Sequence, residues 1–284
     1  MKAKADRGTL ISNAADAIAN SDALLVCAGS GIGVDSGLPD FRGNKGFWEA
    51  YPPFAKLGLR FIDLANPAWF DQDPELAWGF YGHRLNLYRK TIPHKGFDLL
   101  LKWGESKPGG YFVFTSNVDG QFQKADFDES HILECHGSIH HLQCTRAGGC
   151  NTTIWRADKV IVTVDETTMK AKEPLPQCPI CQELARPNIL MFGDWSWLPY
   201  RTESQQSRFR QWLQENAKTR IAVVEIGAGT GVPTVRMTSE SIASTYGATL
   251  IRINTREPNV PPGQISIPTG ALEALEKINT QLTR

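Results

Sequence analysis

The 284-residue chain has no net charge, no long apolar run and few cysteines. Thirty basic residues balance thirty acidic ones, so there is no cationic excess to hold a phosphate backbone or an anionic bilayer. No nucleic-acid partner and no membrane partner is therefore expected. No stretch approaches the roughly 20 apolar residues that a spanning helix needs. Residues 1–9 are polar and lack an apolar signal core, which makes a soluble, cytoplasmic protein the expectation. Six cysteines are too few for a disulfide scaffold of this length, and their spacing suits metal better than staples. There is no repeat and no low-complexity tract. The 41% hydrophobic content can bury one large domain carrying a smaller module.

Strand and helix patterns alternate along the chain. Helices are expected over 9–20, 95–106, 203–217 and 271–282. Buried strands are expected at Ala23-Leu24-Leu25-Val26-Cys27, Tyr111-Phe112-Val113-Phe114, Ile132-Leu133-Glu134-Cys135, Asn188-Ile189-Leu190-Met191-Phe192, 221–226 and 248–253. Such alternation predicts an α/β fold, a Rossmann-like parallel sheet covered on both faces. Its segments are residues 1–42, 93–140 and 186–284. Residues 43–92 are rich in Trp, Phe and Tyr among prolines 52, 53, 67 and 74, and read as a helical, aromatic module. Residues 141–185 form a small inserted module around the cysteines.

Two glycine turns follow strands, Gly29-Ser30-Gly31-Ile32-Gly33 and Gly227-Ala228-Gly229-Thr230-Gly231. Glycines there let backbone amides approach phosphates, or merely let a strand pack tightly on a helix. Neither turn completes G-x-G-x-x-G. Asn254, at a later strand end, can bond a ribose hydroxyl where dinucleotide folds more usually place an acid. Cys144, Cys150, Cys178 and Cys181 form C-x5-C and C-x2-C knuckles. Four thiolates give a closed, structural Zn2+ site, the alternative being buried or redox cysteines. Cys27 and Cys135 lie in apolar strands and read as core. His136 ends a strand, where open α/β sheets collect functional groups. Asn117 and Asp119 end another, with a capped turn as the competing account. His140 and His141 read as structural or incidental surface.

Together these residues resemble the sirtuin family of NAD-dependent protein lysine deacylases, on a divergent bacterial-type branch, over roughly residues 20–280. The segment from Gly29 through Pro39-Asp40-Phe41-Arg42 is similar to the family's G-A-G-x-S-x-x-S-G-I-P-D-F-R. Thr115-Ser116-Asn117-Val118-Asp119 resembles T-Q-N-I-D, His136-Gly137 stands at the family's distance from Cys144, Phe192-Gly193-Asp194 resembles F-G-E, and Ile253-Asn254 matches I-N. The resemblance implies NAD as cofactor, an acylated lysine protein or peptide as partner, and release of nicotinamide and O-acyl-ADP-ribose. It makes His136 the general base on a ribose hydroxyl, with Asn117 and Asp119 positioning ribose and nicotinamide. Gly29, Ser30, Gly31, Ile32, Asp40, Phe41, Arg42 and Ser116 would line the cofactor pocket. Gly227, Ala228, Gly229 and Asn254 would hold the adenosine half, and Phe192 and Gly193 would pair with the substrate peptide.

The sequence also departs from that pattern. Ser116 replaces the family's glutamine, Gly33 replaces Ser or Thr, and Gly-Ala-Gly replaces G-T-S. An NAD glycohydrolase or mono-ADP-ribosyltransferase is therefore the alternative, with water or a protein nucleophile in place of the acyl oxygen. A zinc ribbon that binds nucleic acid finds no support in residues 144–181, which carry no basic stripe. Tyr81 and Arg84 are three apart, on one helix face. They resemble the Tyr-x-x-Arg pair of the sirtuin branch that removes succinyl and malonyl groups, the other account being core packing and surface charge. Trp195 or Trp197 would narrow the pocket against longer chains.

Overall fold

The computed structural model describes residues 7–40, 51–56, 58–146, 150 and 153–284. Its first half contains α1 (Arg7–Ala19), β1 (Ala23–Ala28), α2 (Pro74–Lys90), α3 (Gly96–Glu105), β2 (Tyr111–Thr115), β3 (Ile132–Glu134) and β4 (Gly137–Cys144). The second half contains β5 (Ile154–Arg156), β6 (Val164–Asp165), β7 (Lys170–Ala171), β8 (Ala185–Ile189), α4 (Tyr200–Glu215), β9 (Ile221–Ile226), α5 (Thr234–Tyr246), β10 (Thr249–Ile253), β11 (Ile265–Ile267) and α6 (Ala271–Leu282). Short helical turns at Pro52–Lys56, Phe61–Leu64 and Trp69–Gln72 precede α2.

β1 is buried along its whole length, as a strand covered on both faces must be. It lies inside a six-stranded sheet of order β11-β10-β9-β1-β2-β3, in which every pairing is parallel. The pleat sends Leu24, Val26 and Ala28 to one face, where they pack with α1, α3 and α6. Ala23, Leu25 and Cys27 go to the other, against Phe209 and Trp212 of α4 and Ile242 of α5. The Rossmann-like expectation holds. β11 and α5 were not anticipated from the sequence.

The strands β4 to β8, together with α2, build a second, smaller domain. β4 pairs antiparallel with both β5 and β8, and β6 with β7. Helix α2 starts cleanly: Asp73 caps it by accepting from the Leu76 amide at 3.0 Å, Pro74 opens the first turn, and Arg89 and Lys90 sit in the last. Its Trp78, Phe80, Tyr81 and Leu85 share one core with Ile139, Leu142, Met169 and Ala185. Gly79 permits this contact, because a Cβ there would stand 1.8 Å from the Met169 carbonyl oxygen. The aromatic segment and the cysteine segment, expected as two modules, thus have a common core.

One strand expectation needs correcting. The apolar run 188–192 does not rejoin the parallel sheet. Its first two residues end β8, antiparallel to β4, because the chain between them turns back beside its own entry strand. Among the described residues no helix is long and apolar enough to cross a membrane.

Candidate active site at the sheet switch point

Chain order runs outward from β1 in one direction and from β9 in the other, so the gap above their C-terminal ends is the switch point where open sheets bind ligands. Both glycine turns lie there and touch. Gly29 N–H donates to the Ile226 carbonyl at 2.9 Å and Gly31 N–H to the Gly227 carbonyl at 3.2 Å. A Cβ on Gly29 would stand 2.8 Å from Ala228 Cα, and one on Gly31 2.7 Å from Gly227 Cα. These glycines therefore serve turn-to-turn contact first. The amides of Ala228 and Gly229 make no hydrogen bond to described residues and line the open side.

That side is a cavity of about 760 Å³. Of the residues expected for the cofactor, Gly29, Ser30, Asp40, Ser116, Asn117, Asp119, Ala228 and Gly229 line it. Gly31, Ile32, Gly227 and Asn254 stand behind this lining. Phe41 and Arg42 lie outside the described residues. Asn254, expected to face a ribose, instead donates to the Ala228 carbonyl at 2.7 Å and accepts from the Arg256 and Glu257 amides at 3.0 Å each. It braces the turn and delivers Arg256 and Glu257 to the cavity. The sequence reading missed both; Arg256 pairs with Asp40 at 3.1 Å across the cavity. Ser30 anchors the same loop, its hydroxyl donating to the Asp40 carbonyl at 2.8 Å.

Asn117 is fixed by its own strand end. Thr115 Oγ1 accepts from the Asn117 amide at 3.0 Å, and Asn117 Nδ2 donates to the Gly29 carbonyl at 3.2 Å. Burial pushes the Asp119 carboxyl up to about 6, against the Gln121 amide that donates to it at 2.9 Å. His140 supports this turn, donating from Nε2 to the Asp119 carbonyl at 2.9 Å. His136 lines the cavity. Burial holds its imidazole below the usual value, with the Ser116 backbone working the other way, so the ring is neutral at neutral pH and can accept a proton. Gly137 beside it has φ +78, and a Cβ there would meet the Asn188 carbonyl oxygen at 2.1 Å. No other residue fits.

Tyr81 and Arg84 line the end of the cavity nearest α2. Arg84 is buried, and its Nε donates to the hydroxyl of Tyr88, a third lining residue that the sequence reading passed over. The Tyr81 hydroxyl is buried with no hydrogen-bond partner among the described residues, and burial raises its pKa to about 12. Phe192 lines the mouth, while Gly193 forms the turn beyond it at φ +68. Neither Trp195 nor Trp197 lines the cavity, so the expected narrowing by these rings does not occur.

The four cysteines of the small domain converge. Their sulfurs all lie within 4.8 Å of one another, with Cys144–Cys181 and Cys150–Cys178 both at 3.7 Å. Tetrahedral zinc at a Zn–S distance of about 2.3 Å requires S···S near 3.8 Å, so the donor set fits that ion.

A Rossmann-like protein with an inserted four-thiol domain and a histidine-bearing cavity at the switch point is the class that fold and site define. The sequence matches the Sir2 family over residues 29–234. It is 31% identical over 259 residues to an NAD-dependent protein deacylase of Thermococcus sibiricus, covering 89% of this chain and 88% of that one. It is 30% identical over 266 residues to an NAD-dependent protein deacylase of Aeropyrum pernix, covering 92% and 93%. A protein of that name from Pyrococcus abyssi is 30% identical over 256 residues, covering 89% and 90%. The chain belongs to the Sir2 family.

Proposed function

We propose that the protein is an NAD-dependent protein lysine deacylase. The observation that carries this reading is a single cavity that joins both glycine turns, Asn117, Asp119, His136, the Tyr81–Arg84 end and the Phe192 edge. Bound NAD would supply a ribose carbon that becomes an electrophile for the acyl oxygen as nicotinamide leaves.

The residues act around that carbon. Ala228 and Gly229 offer amides to phosphate oxygens, which suits an anion. Asn117, locked at both its amide and its side chain, presents its remaining oxygen to a ribose hydroxyl. Asp119, ionised above about pH 6, accepts from the N–H of a carboxamide. His136, neutral and half-buried, takes the proton of the ribose hydroxyl that attacks next. Zinc held by Cys144, Cys150, Cys178 and Cys181 has no open position and so fastens the small domain instead of reacting.

For the acyl group, we infer an acidic chain of succinyl or malonyl type. The buried, unpartnered Tyr81 hydroxyl and the Arg84 guanidinium at one end of the cavity support it, since a carboxylate satisfies a phenol and a guanidinium together. The test is nicotinamide release with NAD and one peptide carrying acetyl- or succinyl-lysine. Release that needs acylated peptide, with a succinyl preference lost in Arg84→Met, is the expected result. Release without peptide overturns deacylation, and an acetyl preference overturns the acidic-acyl reading alone.

A further inference from the structure

Trp195 is 100% exposed. A tryptophan side chain carries roughly 150–250 Å² of surface, and one left wholly in water is unusual for a residue seldom found outside cores and interfaces. It does not hang on a loose excursion. Asp194, immediately before it, is buried against Arg186 and accepts from the Met191 amide at 3.3 Å and the Ser196 amide at 3.1 Å. The Ser196 carbonyl accepts from Gln143 Nε2 at 2.8 Å. Gly193, at φ +68, makes the reversal. The chain is thus pinned on both sides of the indole.

The surroundings say what it is held out for. Leu190, Met191 and Phe192, just before the turn, line the cavity, and Leu190 and Phe192 are partly in solvent. The Phe192 amide donates to the Ala65 carbonyl at 2.9 Å, joining this edge to the turn that exposes Ile62. An apolar rim therefore continues outward from the cavity mouth. Among the described residues there, Arg60 and Asp63 pair with each other at 2.7 Å, and Asp194 is held by Arg186.

We propose that Trp195 is a specificity-determining residue that covers an apolar side chain flanking the acylated lysine in the substrate polypeptide. This rests on the deacylase reading. A lysine that reaches into the cavity leaves its own main chain at the mouth, over this rim. The occupant is thus the substrate chain itself, and Ile62, Leu190, Phe192 and Trp195 offer its flanks exposed apolar surface.

Steady-state kinetics with saturating NAD test it on three substrates bearing the same acyl group. They are a blocked single acyl-lysine, a peptide with leucine on both sides of it, and a peptide of equal length with glycine there. Wild type is expected to favour the leucine peptide. Trp195→Ser should raise KM for that peptide roughly tenfold, the loss of one interfacial anchor, with kcat and the single acyl-lysine unchanged. Trp195→Phe should keep most of the preference. A wild type active on all three whose ratios Trp195→Ser leaves untouched overturns this proposal and spares the deacylase reading. A wild type inactive on all three overturns both.

Discussion

Replacing Asp194 by asparagine keeps the volume of the side chain and removes its charge, which isolates the electrostatics of the turn that follows Phe192. In the folded protein Arg186 and Asp194 are almost wholly buried. The carboxylate accepts from Arg186 Nη1 at 3.1 Å and from the amides of Met191 and Ser196. Arg186 also donates to the Ile189 carbonyl at 2.9 Å, which keeps it in place once its counter-charge has gone. Removing one partner of a buried pair costs about 3–5 kcal/mol, because the other charge stays buried and uncompensated. The asparagine oxygen can still take one amide, so the lower end applies, about 3 kcal/mol. For a chain of this size that lowers Tm by roughly 6–12 °C. The turn carries Phe192 toward the cavity, so KM for the acylated peptide should rise while the affinity for NAD holds. Scanning calorimetry and peptide kinetics measure the two effects. The double variant Arg186→Met, Asp194→Leu should recover most of the stability, since well-packed apolar groups often replace a buried pair without loss. A single variant that unfolds within a degree or two of wild type, or that weakens NAD and spares the peptide, refutes this reasoning.

His136→Ala should lower kcat by about 10²-fold or more with NAD binding retained, as read by single-turnover kinetics against a calorimetric NAD titration. The Asp119 carboxyl titrates at about 6 in the fold against 3.8 unfolded. The fold thus favours its protonated form, and the resulting stability is full below about pH 4 and lost as pH rises through 6. Asp119→Asn should therefore exceed wild type in unfolding free energy at pH 8, read by urea titration, by up to roughly 3 kcal/mol, while activity falls. An unchanged midpoint counts against the burial. Metal analysis should find one zinc per chain, and Cys178→Ser should lose the metal and unfold the small domain first. Metal-free protein of undiminished stability contradicts the four-thiol assignment.

Much of this architecture is legible locally. The runs at 23–27, 111–114 and 221–226 are apolar at nearly every position because both faces of the sheet are covered, and that signal survives without a partner. The misread run, 188–192, looks the same in sequence. Its pairing with β4 depends on a chain reversal through some forty residues, which no local pattern encodes. Ile265–Ile267 is three residues long, too short for a period to show. Helix α5 is rich in serine and threonine, which bond their own backbone and blur a helical signature. The site behaves likewise. His136, Asn117 and Asp119 stand at strand ends and could be singled out from there. Tyr88 is one helical turn beyond Arg84 and gives no sign until α2 is seen against the cavity. That the two glycine turns touch each other follows from β1 lying beside β9, which is a property of the sheet order alone.

The fate of the acyl group tests the central claim most directly. With NAD and an acylated peptide, mass spectrometry of the products should show nicotinamide, deacylated peptide and O-acyl-ADP-ribose in equal amounts, with multiple turnover of all three lost in His136→Ala. Nicotinamide accompanied by free ADP-ribose, or by ADP-ribose bound to protein, with the acyl-lysine intact, would contradict it.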